Sequence, residues 1–176
     1  MVDILKAVLL GVVEGLTEFV PVSSTGHLIL VEDQLQLSSG NTETFSIAIQ
    51  LGAILAVLLY HRAYFASLYH PSNWFSRKMK VLVTACMPAF VFGFLLHDLI
   101  KEKLFGPTTV ALALAVGGVF MIVIERVVKP KPEIMELEDI GYQQALGIGM
   151  MQCLALWPGM SRSGSTIIGG LVFKLS

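Results

Sequence analysis

Two short polar knots, each set inside an apolar stretch, constrain this chain more than any other feature. The first runs from Gly11 to His27 and reads GVVEGLTEFVPVSSTGH. The second runs from Pro158 to Thr166 and reads PGMSRSGST. Two carboxylates, several hydroxyls and an imidazole stand in one; a lone arginine and further hydroxyls stand in the other. Ionisable side chains at membrane depth are costly and persist mainly where they face a polar cavity or one another. The remainder of the chain is apolar enough to make membrane depth the relevant setting. It is 55% hydrophobic and only 14% charged, with mean hydropathy +0.73, against about 25% charged in an ordinary soluble domain. An all-α, polytopic membrane protein is expected.

Net charge is −1 and no basic stripe is present, which excludes the electrostatic footprint of a nucleic-acid binder. Cys86 and Cys153 lie in apolar runs without metal-ligand spacing, and are expected to be buried small hydrophobes. The N-terminal stretch does not read as a cleaved signal peptide, because Asp3, Glu14 and Glu18 interrupt it.

Crossing the hydrocarbon takes about 20 mostly apolar residues, and three segments qualify as full transmembrane helices. They lie near 45–60, which is short and should extend at one end, 81–100, which Pro88 interrupts, and 107–128. Segments 61–80 and 126–139 are expected to be loops. They carry seven Lys and Arg, namely Arg62, Arg77, Lys78, Lys80, Arg126, Lys129 and Lys131, whereas loop 101–106 carries only Lys101 and Lys103. Loops rich in Lys and Arg stay in the cytoplasm, so 61–80 and 126–139 are placed inside and 101–106 outside. Tyr60, Tyr64, Phe65, Tyr69 and Trp74 cluster beside the first loop, as an interfacial belt would.

The knots fit neither a span nor an ordinary loop. Ile4–Val20 leads into Pro21, and Leu28–Val31 follows; Ile140–Trp157 leads into Pro158, and Ile167–Leu175 follows. Each reads as a re-entrant hairpin, helix in, polar turn at depth, helix out, since irregular backbone at depth survives only where it lines a cavity or is buried in protein. Traced through the spans, hairpin 4–31 opens outward and the second opens inward. That is an inverted repeat, supported by a shift of 137 residues that aligns Pro21 with Pro158 and Ser24 with Ser161. The expected organisation is a single membrane domain, 1–176. A first repeat fills 1–137 and a second begins over 138–176, as in the N-terminal part of a longer parent.

Glu14 and Glu18 are four apart and share a helix face, which Gly11 and Gly15 leave uncrowded. Pro21 ends that helix, and Ser23, Ser24 and Thr25 can cap the next, whose amide-rich N-terminus favours phosphate. A hydroxyl beside His27 and Glu is the layout of an activated nucleophile. Alternatively, two carboxylates facing one cavity hold Mg²⁺ or Ca²⁺, which bridge to phosphates. In the second knot, the turn Ser161-Arg162-Ser163-Gly164 can form an anion-binding nest, and Arg162 adds a fork matched to two phosphate oxygens. Thr166 is a helix-capping hydroxyl or a supporting donor. Each feature has a plainer alternative: a wet helix face for the acids, a simple turn for the hydroxyls, a structural histidine, a snorkelling arginine. Their co-occurrence tips the balance. Gln50, in IAIQLGAIL, is a cavity residue or an interhelical donor.

At these residues the chain resembles the undecaprenyl-diphosphate phosphatases of the bacitracin-resistance type, through GVVEGLTEFVPVSSTGHL, AIQLGAILAV and PGMSRSGSTI. The resemblance implies removal of the terminal phosphate of undecaprenyl diphosphate, which recycles the lipid carrier for peptidoglycan precursors. It implies a multi-pass protein of the bacterial plasma membrane with its site toward the outer face, and dependence on a divalent cation. It implies Ser24 as nucleophile, Glu14 and Glu18 in metal or base roles, His27 in acid–base work, and Arg162 on the phosphate. Ser161, Ser163, Ser23, Thr25 and Thr166 complete the expected substrate contacts. A polyprenyl diphosphate lipid and the bilayer are the expected partners, and a homo-oligomer is compatible with the sequence. Attack by Ser24 or by water stays open. Two other classes are weighed against this one: a carrier of polyprenyl phosphate lipids, which shares the broken-helix architecture, and an acid-phosphatase-like lipid phosphatase, whose Lys/Arg-Pro signature is absent.

Overall fold

A computed structural model describes residues 3–37, 40–128, 137–173 and 175, the side chains of 40–43 and 138 excepted. Nine α-helices and no extended strand occur among the described residues. They are α1 (Ile4–Thr17), α2 (Ser24–Gln34), α3 (Gly40–Tyr60), α4 (Arg62–Tyr69), α5 (Arg77–Leu95), α6 (His97–Lys103), α7 (Pro107–Val127), α8 (Tyr142–Gln152) and α9 (Arg162–Val172). The charged positions Lys129, Lys131, Glu133 and Glu136 of the expected cytoplasmic loop lie outside the described residues.

Two helices, α5 and α7, are long and apolar enough to cross a membrane. A third candidate is the pair formed by Thr44–Tyr60 and α4, bent by 85° at its break. The expected loop 61–80 thus contains a helix, α4, and a short 3-10 turn at Pro71–Asn73. The expected span 81–100 is displaced toward the N-terminus. Ser76 caps α5 by accepting from the Met79 N–H at 3.3 Å, so the helix starts at Arg77. It stops at Leu95, because Leu96 breaks it and the seven residues that follow, HDLIKEK, form the separate and strongly charged α6. Cys86 lies exposed on α5, not buried as expected, and Cys153 is half-buried.

Each polar knot sits between two packed helices, α1 against α2 and α8 against α9. Lys6 on α1 donates to the carbonyl of Leu35 at 3.2 Å, satisfying an orphan group at the C-terminal end of α2. The α8–α9 pair packs most extensively on α5, around a small core of Val81, Ile140 and Ala145. The α1–α2 pair packs on α7 through α2, and these helices contribute the buried residues Leu10, Leu28, Val110 and Ala113. α7 also touches α9, so it stands between the two pairs and holds their turns side by side.

Candidate active site

The turns meet at their glycines. A Cβ on Gly26 would lie 3.0 Å from the Gly159 Cα, a distance that side-chain carbons do not tolerate without movement. Gly159 itself has φ +104° and faces the Val110 carbonyl, which a Cβ would approach to 2.6 Å. Only glycine combines that backbone conformation with that proximity. Both knots therefore end in one place, and the residues around this contact form the candidate site.

The N-caps of α2 and α9 are built alike. Ser23 accepts from the Gly26 N–H at 3.3 Å and Ser161 accepts from the Gly164 N–H at 3.0 Å. Both helices have eleven residues. The caps correspond at a shift of 138, one more than the shift that aligns the prolines. Ser161 therefore matches Ser23, and Arg162 stands where Ser24 stands. The turns differ in where their unusual backbone lies. Ser161 has an ordinary extended conformation at φ −68°, whereas Ser23 is left-handed at φ 64° and ψ 88°, a region L-residues rarely occupy.

A cavity of about 850 Å³ opens over the junction. Glu18, Ser23, Ser24, Thr25, Ser161, Arg162 and Ser163 line its floor, and Glu32, Asp33, His97, Lys101 and Phe105 lie among its other walls. Ser24 is buried and its hydroxyl donates to the Glu18 carboxylate. Arg162, whose side chain is 62% exposed, places Nη2 4.0 Å from the other oxygen of the same carboxylate. Glu18 thereby joins the two turns, accepting from the hydroxyl of one and facing the guanidinium of the other. Thr25 Oγ1 accepts from Gln50 at 3.4 Å, so Gln50 both lines the cavity and ties α3 to the turn. Ser161 and Ser163 share a hydrogen bond at 3.0 Å.

Not every expected site residue reaches this cavity. Thr166 turns its hydroxyl onto its own helix, donating to the carbonyls of Arg162 and Ser163 at 3.1 and 3.0 Å. His27 lines a second, smaller cavity with Pro21, Leu114, Met121 and Ile168, and is absent from the wall of the larger one. Its Nδ1 lies 2.9 Å from the Ser23 carbonyl oxygen. Glu14 lies one turn before Glu18 on α1. It is 1% exposed, and neither carboxyl oxygen has a hydrogen-bond partner among the described residues. An isolated carboxylate so placed needs a cation or a proton. The all-oxygen donor set of Glu14 and Glu18 fits a hard divalent cation. Mg²⁺ is commonly held by one or two carboxylates, with water and phosphate oxygens filling the other positions. No group of three His, Cys, Asp or Glu side chains gathers among the described residues, and among them Glu14 and Glu18 are the pair that would hold such a cation.

Glu32, Asp33, Ser46, His97 and Lys101 are not among the expected site residues. All line the large cavity, and the Ser46 hydroxyl donates to the Glu32 carboxylate. Glu32 and Asp33 fall just past the stretch expected to be the returning arm of the hairpin, and His97 and Lys101 belong to α6, which straddles the end of the expected span 81–100 and the expected loop 101–106. Only tertiary packing brings them to one rim.

The family described as bacitracin resistance protein BacA matches residues 7–176. A relative named undecaprenyl-diphosphatase from Clostridium tetani is 47% identical over 180 residues, covering 100% of this chain and 66% of that protein. One of the same name from Nitratidesulfovibrio vulgaris is 48% identical over 176 residues, covering 98% of this chain and 66% of the relative. Undecaprenyl-diphosphatase 1 of Bacillus anthracis is 48% identical over 181 residues, covering 100% and 68%. The chain thus spans 66% of the length of the first two of these relatives.

Proposed function

The chain belongs to the bacitracin resistance protein BacA family, and from that premise and the site geometry we propose that it hydrolyses undecaprenyl diphosphate to undecaprenyl phosphate and inorganic phosphate. The single observation that carries this proposal is the Ser24–Glu18–Arg162 arrangement, a buried hydroxyl already donating to a carboxylate that a guanidinium faces from the opposite turn. Relatives named for this activity match the chain across nearly all of its length.

Ser24 Oγ attacks the terminal phosphorus. The new Oγ–P bond forms as the bond from that phosphorus to the bridging oxygen breaks, and undecaprenyl phosphate leaves with the bridging oxygen. The Ser24 proton passes to Glu18, with which the hydroxyl is already hydrogen-bonded. Water then cleaves the phosphoserine, releasing phosphate and restoring the hydroxyl. Arg162 offers two parallel N–H donors to the non-bridging oxygens, while Ser161, Ser163, Ser23 and Thr25 supply further hydroxyls at the same floor. Positioning and charge neutralisation of this kind dominate phosphoryl transfer. Glu14 and Glu18 would hold Mg²⁺ or Ca²⁺. When bound, the cation supplies positive charge to the phosphate oxygens and offsets the buried carboxylate.

The setting is a bacterial plasma membrane. The hairpins α1–α2 and α8–α9 are re-entrant, α3, α5 and α7 span, and residues 1–137 and 138–176 belong to two inverted repeats. With 61–80 and 126–139 inside, the α5–α7 connection lies outside. The cavity that reaches His97, Lys101 and Phe105 then opens to the outer face, and the apolar tail stays in the lipid. The test is phosphate release from undecaprenyl diphosphate by the purified chain, with and without a chelator. Stoichiometric phosphate and undecaprenyl phosphate, both suppressed by chelation, are expected. Uptake of the lipid without phosphate release would make the protein a carrier instead.

A further inference from the structure

We propose that His27 is a positioning residue that acts through the Ser23 carbonyl, and that it is not the proton-transfer partner of Ser24. This deepens, and rests on, the phosphatase assignment. Ser23 is the residue whose torsions aim Ser24 at Glu18, because it is the last residue before α2 begins. It holds φ 64° and ψ 88°, a left-handed conformation that is unfavourable for a non-glycine residue and persists only when its neighbours enforce it. The enforcement is visible. The Ser23 side chain accepts from the Gly26 N–H. Its carbonyl receives the backbone N–H of His27 at 3.1 Å and lies 2.9 Å from the His27 ring nitrogen Nδ1.

That last contact fixes the chemistry of the ring. A carbonyl oxygen only accepts, so Nδ1 carries the hydrogen and donates it. In the neutral imidazole Nε2 is then the bare nitrogen, and the ring lines the smaller cavity beside Leu114, Met121 and Ile168. Ser24, Glu18 and Arg162 line the other cavity. The Ser24 hydroxyl has its acceptor in Glu18 and His27 Nδ1 is committed to the Ser23 carbonyl, so the serine proton has a route that does not use the imidazole.

The second turn serves as an internal control. Ser161 is the matching cap and Ser165 occupies the place of His27. Gly164 N–H donates to the Ser161 hydroxyl at 3.0 Å, and Ser165 N–H donates to the Ser161 carbonyl at 2.9 Å. The backbone there is ordinary, φ −68°, and the positive φ is taken by Gly159. An imidazole braces the cap only in the turn where the cap itself is left-handed.

Two measurements test this. The first is ¹⁵N NMR of the histidine-labelled chain in nanodiscs, with the His27 signals assigned by their loss in His27→Asn. Neutral His27 is expected to show a protonated Nδ1 and a bare Nε2, the less common tautomer; a protonated Nε2 with bare Nδ1 overturns the proposal. The second is phosphate release from undecaprenyl diphosphate by His27→Asn and His27→Gln. The asparagine amide can donate from the position of Nδ1, whereas the glutamine amide reaches the position of Nε2. His27→Asn is expected to keep turnover within about tenfold while His27→Gln loses more. General acid–base catalysis is worth about 10²–10⁴-fold, so a loss of that size in His27→Asn, equal to the loss in His27→Gln, overturns the brace. If His27→Asn fails to fold, the tautomer of the unsubstituted protein decides. If the unsubstituted protein releases no phosphate, the phosphatase assignment falls and the tautomer still decides the brace.

Discussion

The guanidinium of Arg162 lies 4.0 Å from the carboxylate of Glu18, although one belongs to the C-terminal polar turn and the other to the N-terminal one. Glu18 also accepts from Ser24, so one carboxylate collects a hydroxyl and a cation from opposite ends of the chain.

Arg162→Lys keeps the charge and loses the planar fork. Charge-assisted hydrogen bonds contribute about 1.5–3 kcal/mol each, so kcat/KM for undecaprenyl diphosphate should fall about 10- to 100-fold. Because the side chain is 62% exposed, thermal stability should hardly change. Steady-state kinetics beside a thermal melt check both halves; unchanged kinetics would contradict paired binding of the phosphate.

Ser24→Ala and Glu18→Gln should not be additive. If Glu18 takes the proton of Ser24, the double variant loses about as much turnover as Ser24→Ala alone, as residues acting as one unit do. A double-mutant cycle on single-turnover rates measures this. Multiplicative losses would separate the two residues.

Glu14→Gln removes a buried charge that has no hydrogen-bond partner among the described residues. Leaving a buried polar group unsatisfied costs about 1–3 kcal/mol, and more for a charged one. In chelator, at a pH high enough to keep Glu14 ionised, the variant should therefore melt above the parent. Added Mg²⁺ or Ca²⁺ should raise the melting temperature of the parent and leave that of Glu14→Gln unmoved. The same cation response in both would place the cation elsewhere.

Gly159→Ala should damage the site and the fold together. The new Cβ would sit 2.6 Å from the Val110 carbonyl and 2.8 Å from the Ala113 Cβ, at φ +104°. Overpacking of this kind costs about 1–3 kcal/mol, and relief requires the second turn to leave α7 and Gly26. A lowered melting temperature with at least tenfold lower kcat is expected, on the scale that about 1.4 kcal/mol is a factor of ten. A stable and fully active variant would show that the turns need not touch.

Much of this was legible in the sequence because membrane depth makes polar residues conspicuous. Both turns, their flanking helices and the five residues Ser24, Glu18, Arg162, Ser161 and Ser163 stand out as polar positions within apolar runs. What was not legible depends on packing. Hydropathy merged α5 with α6, since Leu96, Leu99 and Ile100 extend the apolar count past the point where Leu96 breaks the helix. It also hid α4 behind the charge of segment 61–80. Matching prolines gave a shift of 137, whereas the caps, which set the helices, match at 138. The direction of His27 follows from one backbone torsion at Ser23, which no residue pattern reports. Glu32, Asp33, His97 and Lys101 read as ordinary helix-end charges until folding gathers them at one cavity.

The most direct measurement is inorganic phosphate released from undecaprenyl diphosphate by the purified chain and by Ser24→Ala at equal folded concentration. One phosphate per lipid from the former and none above background from the latter is the predicted result. Equal release by both, or none by either, would contradict a serine-centred site built from the two turns.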